Sequence, residues 1–159
     1  MIGQICLDEL LLESAKEVFE TTAFMNLTET AEPDRNDVEG WALLGSITFK
    51  GSLEGYLAIN CKVSCAQAIA ANMLRVTTEQ LTEEDTCDAV SEIANMIMSG
   101  VKKRLLGSLG NIEISIPSII SRREIKNHLS NSAEKISVKV NIEDKYVAEL
   151  SLLCEENFK

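Results

Sequence analysis

Between Thr82 and Arg104 the apolar residues return every three or four positions, the period of an amphipathic helix. Val90, Ile93, Ala94, Ile97 and Val101 gather on one side, a stripe wide enough to face a core. On the other side Asp88, Glu92, Asn95 and Ser99 fall within about 60° of one another on the helical wheel. Thr82 is placed to cap this helix, with Glu83, Glu84 and Asp85 favoured in its first turn. Leu105-Leu-Gly107 is expected to end it, with Lys102, Lys103 and Arg104 suited to the C-terminal dipole.

The same patterning predicts the other elements. Leu11, Ala15, Val18 and Phe19 recur at helical spacing, which predicts a first amphipathic helix over roughly residues 5–24. Residues 26–40, with Pro33 and Gly40, read as an exposed connection. Trp41 to Lys50 and Leu53 to Cys61 read as two strands turned by Gly51-Ser52. Ser64 to Leu74 is alanine-rich and helical. Ile112 to Ile116 alternates and stops at Pro117, and Ser121 to Glu134 is a polar loop. Lys135 to Ile142 alternates, Glu143-Asp-Lys145 turns, and Tyr146 to Cys154 returns as a last strand. Hairpins between amphipathic helices predict an α+β fold, an antiparallel sheet with two long helices packed against it. All of it fits a single domain over residues 1–159.

A formal net charge of -10 argues against nucleic acid and against an anionic membrane surface as partners. No apolar run approaches the roughly 18 residues of a spanning helix. The opening Met-Ile-Gly-Gln-Ile-Cys-Leu-Asp-Glu lacks a basic n-region, so the expected compartment is the cytoplasm. Five cysteines (Cys6, Cys61, Cys65, Cys87, Cys154) without Cys-x-x-Cys read as free, mostly buried thiols. His128 is the only histidine and sits in the polar stretch, which leaves no His-based triad. No ligand set for a metal and no cofactor motif stands out.

What remains is the polar stripe. Glu92 and Asn95 are i and i+3 neighbours, with Cβ atoms about 5–6 Å apart, so a carboxylate and a carboxamide stand side by side on a rigid support. A second Glu-x-x-Asn, Glu124 to Asn127, lies in the polar stretch with no apolar periodicity and is not assigned. An interior glycine costs a helix about 1 kcal/mol, so Gly100 marks close approach of a neighbouring helix or of a partner, packing being favoured. Met96 and Met98 flank the stripe and suit either an interface or the core.

Asp88-x-x-x-Glu92-x-x-Asn95, then Met-Ile-Met-Ser-Gly100 and, downstream, Ile-Pro117-Ser-Ile-Ile-Ser121, resembles the CheC/CheX-type chemotaxis phosphatases. Gly45-Ser-Ile-Thr-Phe-Lys-Gly-Ser-Leu-Glu-Gly-Tyr-Leu-Ala-Ile59 is similar to the strand pair before that family's central helices, so the likeness spans about residues 41–154. It implies hydrolysis of the aspartyl-phosphate on a CheY-like receiver, with Asn95 positioning water and Glu92 docking the receiver. Asp88 and Ser99 would line the contact surface. Mg²⁺ would come from the receiver rather than from this chain. Two-site members carry another Glu-x-x-Asn on the first helix, where this chain has Glu9-Leu-Leu-Leu12, Glu13-Ser-Ala-Lys16 and Glu17-Val-Phe-Glu20. That departure implies the single-site CheX-like branch and, by analogy, a homodimer. The competing expectation is an adaptor of the same fold, receiver-binding or related to motor-switch proteins, without turnover.

Overall fold

The computed structural model describes residues 7–30, 43–109, 112–114, 118–119 and 134–156. Helix α1 (Leu7–Val18) widens into a π turn over Phe19–Ala23, followed by the short strand β1 (Leu27–Glu29). A hairpin of β2 (Leu43–Gly51) and β3 (Leu53–Cys61) leads into α2 (Val63–Leu74). A 3-10 turn (Thr78–Gln80) then precedes α3 (Glu83–Leu109). Strands β4 (Ile112–Ile114), β5 (Ser118–Ile119), β6 (Glu134–Ile142) and β7 (Tyr146–Glu156) complete the order.

The seven described strands form one sheet in the order β1-β6-β7-β3-β2-β4, with β5 also on β2, and each of these pairings is antiparallel. Register explains why one face is apolar. Ile47 pairs with Leu57, Leu57 with Leu152, and Ile59 with Leu150, which in turn pairs with Val138. Paired residues point the same way, so these side chains form a continuous floor. Leu11, Phe19, Ile69, Ile93 and Ile97 from the three helices join them in one buried cluster. On the opposite face stand Thr48, Lys50, Glu54, Lys139 and Ser151, the polar half of each alternation.

Two turns show how local chemistry sets the frame. Gly51 takes a φ of 135°, so the β2–β3 hairpin needs a residue without a Cβ there. At the β6–β7 turn Lys145 N donates to Ile142 O at 3.1 Å, with Glu143 and Asp144 at φ 56° and 53°, the type I′ signature.

The expected α+β arrangement is present, with one long helix, α3 of 27 residues, and two of 12 residues, α1 and α2, rather than two long ones. Two boundaries differ from the sequence expectation. Residues 27–29 are a strand rather than part of an exposed connection: Leu27 is buried and pairs with Ile142. Helix α3 continues through Gly107 to Leu109 because Leu105 is buried, so Lys102, Lys103 and Arg104 lie ahead of its last turn. Cys6, Trp41, residues 115–117 and the polar stretch holding Glu124, Asn127 and His128 lie outside the described residues.

Candidate functional site

At 27 residues and 1.5 Å per residue, α3 is a rod about 40 Å long, fixed at three places. Its start is closed by a reciprocal cap: Asp85 N donates to Thr82 Oγ1 at 3.0 Å, and Thr82 N donates to Asp85 Oδ2 at 3.1 Å. Its inner stripe is buried throughout, Val90, Ile93, Ala94, Ile97 and Val101 each at 0% exposure. Beneath it, Gly45 of β2 allows close approach: a Cβ there would stand 2.7 Å from Val90 Cγ1.

Because the inner face is pinned, the outer one is fixed as well. Asp88, Glu92 and Ser99 are exposed and Asn95 is half-buried, all on the side away from the core. Ser99 Oγ donates to the Asn95 carbonyl at 2.9 Å, which occupies the only proton that hydroxyl can donate. Among the described residues, neither the Glu92 carboxylate nor the Asn95 carboxamide has a hydrogen-bond or ion-pair partner. The two methionines separate. Met98 is fully buried in the core, whereas Met96 is half-buried and receives a contact from Thr22 Oγ1 at 3.8 Å.

Helix α1 runs antiparallel to α3: Ser14 faces Gly100 and Arg104, while Thr22, further along, faces Met96. Between the two helices lies a groove of about 590 Å³, lined in part by Thr21, Met96, Ser99, Gly100 and Lys103. The packing reading of Gly100 holds, since a Cβ there would lie 3.2 Å from Ser14 Cβ. Arg104 closes the groove. Its Nη1 donates to Ser14 Oγ and to the Gly100 carbonyl, both at 3.2 Å, and its Nη2 donates to Glu17 Oε2 at 2.9 Å. Glu13 stands 3.8 Å away on the same guanidinium. The hydrogen bond and charge of Arg104 hold the Glu17 carboxyl below its ordinary range. Glu13 and Glu17 of the first helix are thus both engaged by Arg104. Sequence reasoning missed this clamp, because nothing local links position 104 to positions 13 and 17.

The four described thiols offer no competing centre. Cys61, Cys65 and Cys154 are buried, and Cys87 is half-buried. A hydrogen bond with Cys61, followed by burial, pushes the Cys65 thiol far above its ordinary range, away from the reactive thiolate. Burial, with Glu83 and Asp88 nearby, raises that of Cys87. Among the described residues no three His, Cys, Asp or Glu converge as metal ligands would. Nor is any helix there long and apolar enough to cross a membrane.

An antiparallel sheet carrying helices, with a Glu and an Asn on the outer face of the longest that are unpartnered among the described residues, is a recognisable arrangement. Residues 43–141, more than half of the chain, match the family described as chemotaxis phosphatase CheX. The chain belongs to that family. Solved structures agree on the fold. Chemotaxis protein CheX from Vibrio vulnificus is 22% identical with a TM-score of 0.75, covering 96% of this chain and 98% of that one. CheX in a CheX–CheY–BeF3–Mg²⁺ complex from Borrelia burgdorferi is 18% identical at TM-score 0.71, covering 93% and 97%. A chemotactic CheC-like protein from Shewanella oneidensis MR-1 is 25% identical at TM-score 0.69, covering 95% and 100%. No curated protein matches the sequence.

Proposed function

We propose that this protein hydrolyses the aspartyl-phosphate of a CheY-like receiver, with Asn95 and Glu92 acting on the bound partner. The observation that carries the reading is the pair itself, a carboxylate and a carboxamide without partners among the described residues, on a rigid helix within the family match. The Borrelia burgdorferi relative bound to CheY supports the class of partner.

An aspartyl-phosphate is an activated mixed anhydride, so its hydrolysis depends on alignment more than on acid–base help. The Asn95 carboxamide accepts one hydrogen bond from a water and donates another, holding its oxygen in line with phosphorus. That oxygen bonds to phosphorus as the bond to the aspartate oxygen breaks, giving inorganic phosphate and a free carboxylate. The water's proton passes to phosphate or solvent. Glu92 pairs with the receiver's active-site lysine and sets the docking register, a charge-assisted contact of a few kcal/mol once desolvated. The receiver carries the Mg²⁺ that neutralises the phosphoryl oxygens, so this chain supplies no metal ligand. Asp88 and Ser99 line the contact, Ser99 with its proton already turned back to the helix. The working unit is a homodimer by resemblance to the single-site branch, located in the cytoplasm with its receiver.

The reading is tested by inorganic phosphate release from a panel of phosphorylated stand-alone receivers. Native protein accelerates release from a cognate receiver, and Glu92→Ala weakens both binding and turnover. Binding without acceleration on every receiver would select the adaptor instead.

A further inference from the structure

Two helices of this chain end in an unusual way. Phe24 follows the π turn of α1 at φ 56°, and Arg75 follows α2 at φ 57°, both in the left-handed region that glycine and asparagine adopt most readily. Phe24 N donates to Phe19 O and Arg75 N to Ala71 O, so both residues terminate their helices. Neither side chain then turns inward. Phe24 is 56% exposed and Leu74, beside Arg75, is 50% exposed.

These two ends are fastened to each other. Asn72 Nδ2 donates to the Ala23 carbonyl at 3.0 Å, and the Arg75 guanidinium stacks over the Phe24 ring at 5.6 Å from its centroid. The result is a fixed platform of one aromatic ring, one cation and one leucine on a chain whose net charge is -10. Such residues, held rigid and left uncovered, have the chemistry of an interface anchor. Core packing does not account for an exposed Phe in a backbone conformation that Asn would hold with less strain.

The platform adjoins the candidate pair. Thr22 touches Met96, the residue after Asn95, and two residues of chain put Phe24 no more than about 7 Å beyond Thr22. A protein partner covering Glu92 and Asn95 needs roughly 800 Å² on this side, a disc about 16 Å in radius. A footprint of that size that extends from the pair over Met96 and Thr22 meets the platform at Phe24. Two polar side chains alone would not form a stable interface.

We propose that Phe24, Leu74 and Arg75 form a second contact for the phosphorylated receiver, seating an apolar and acidic patch of its surface beside the phosphoryl site. This rests on the receiver being the substrate. It adds an affinity determinant on α1 and α2 to a site otherwise confined to α3.

The test uses receivers held in the phosphorylated form with beryllofluoride and Mg²⁺, titrated with native protein, Phe24→Asn and Arg75→Asn. Asparagine suits the left-handed backbone, so both variants should melt at or above the native temperature. Each is expected to bind about tenfold more weakly, the loss typical of an interface anchor. Native binding with both variants within twofold of it overturns this inference and leaves the phosphatase reading standing. No receiver bound by native protein removes both. A drop in molecular mass of Phe24→Asn by light scattering would instead make the platform a contact between copies of this chain, which also overturns the proposal.

Discussion

Arg104 and Glu17 are 87 positions apart in the chain, yet Nη2 of one donates to Oε2 of the other at 2.9 Å. With Ser14 and the Gly100 carbonyl on the same guanidinium, this contact holds α1 against α3 and closes one end of the groove beside Ser99. An exposed ion pair alone contributes little, but this one is bound to a hydroxyl and a carbonyl as well. The clamp therefore sets the relative position of the two helices more than it adds to overall stability.

Its pH dependence follows from the lowered Glu17 pKa. A carboxyl whose folded pKa lies below its unfolded value stabilises the fold above the unfolded value, and that contribution is lost as pH falls through the folded one. Thermal melts of native protein and Glu17→Gln should therefore differ at pH 7 and draw together as pH falls below the ordinary carboxylate range. A gap that stays constant down to pH 3 would show that Glu17 acts through shape rather than charge.

Gly45→Ala should destabilise the protein by about 1–3 kcal/mol, the usual range for overpacking a filled core. The new Cβ would meet Val90 Cγ1 at 2.7 Å and the Val90 carbonyl oxygen at 3.2 Å, so relief requires α3 to lift from β2. Val90 lies two residues before Glu92, and the displacement should therefore lower receiver affinity as well. Urea unfolding together with a receiver titration checks both effects. A variant with native stability would mean that the Val90 side chain rotates clear and α3 stays in place.

Thr82→Ala removes the acceptor for Asp85 N while the backbone N of residue 82 still donates to the Asp85 side chain, so half of the reciprocal cap is lost. The expected loss is about 1 kcal/mol. The change should appear as faster amide hydrogen exchange in the first turn of α3, with exchange around Ile97 altered only by the fall in global stability. Uniform protection along α3 would place the anchoring of that helix in the core alone.

Most of the frame was legible in the letters, for reasons that particular residues make plain. The period of Val90, Ile93, Ile97 and Val101 settles which face of α3 is inward, and hence which is outward. The alternation of Val138, Val140 and Ile142 does the same for β6. What escaped was non-local or too short to have a period. The three residues of β1 owe their strand to pairing with β6, and Gly107 stays helical because Leu105 just before it is buried. Arg104 looked like a complement to the helix dipole and instead reaches across to α1. Phe24 gave no signal either, since its exposure comes from a π turn that apolar spacing does not register. The Glu92–Asn95 pair was visible because it depends only on helix geometry.

Asn95→Ala should leave the fold as stable as the native protein, or more stable by up to about 0.7 kcal/mol, because alanine is the better helix former. A residue kept at the expense of stability is retained for what it touches. Equilibrium unfolding in urea gives the comparison. A loss above 1 kcal/mol would mean that the carboxamide makes a structural contact in the folded protein.

The most direct measurement is single-turnover loss of phosphate from a cognate phosphorylated receiver, with this protein in excess, for native protein and Asn95→Ala. Excess protein keeps the receiver bound, so the rate reports the chemical step rather than docking. Misplacing the attacking water should cost about 10²-fold or more, with beryllofluoride-loaded receiver still bound at native affinity. An Asn95→Ala rate equal to native on a fully bound receiver would contradict the account.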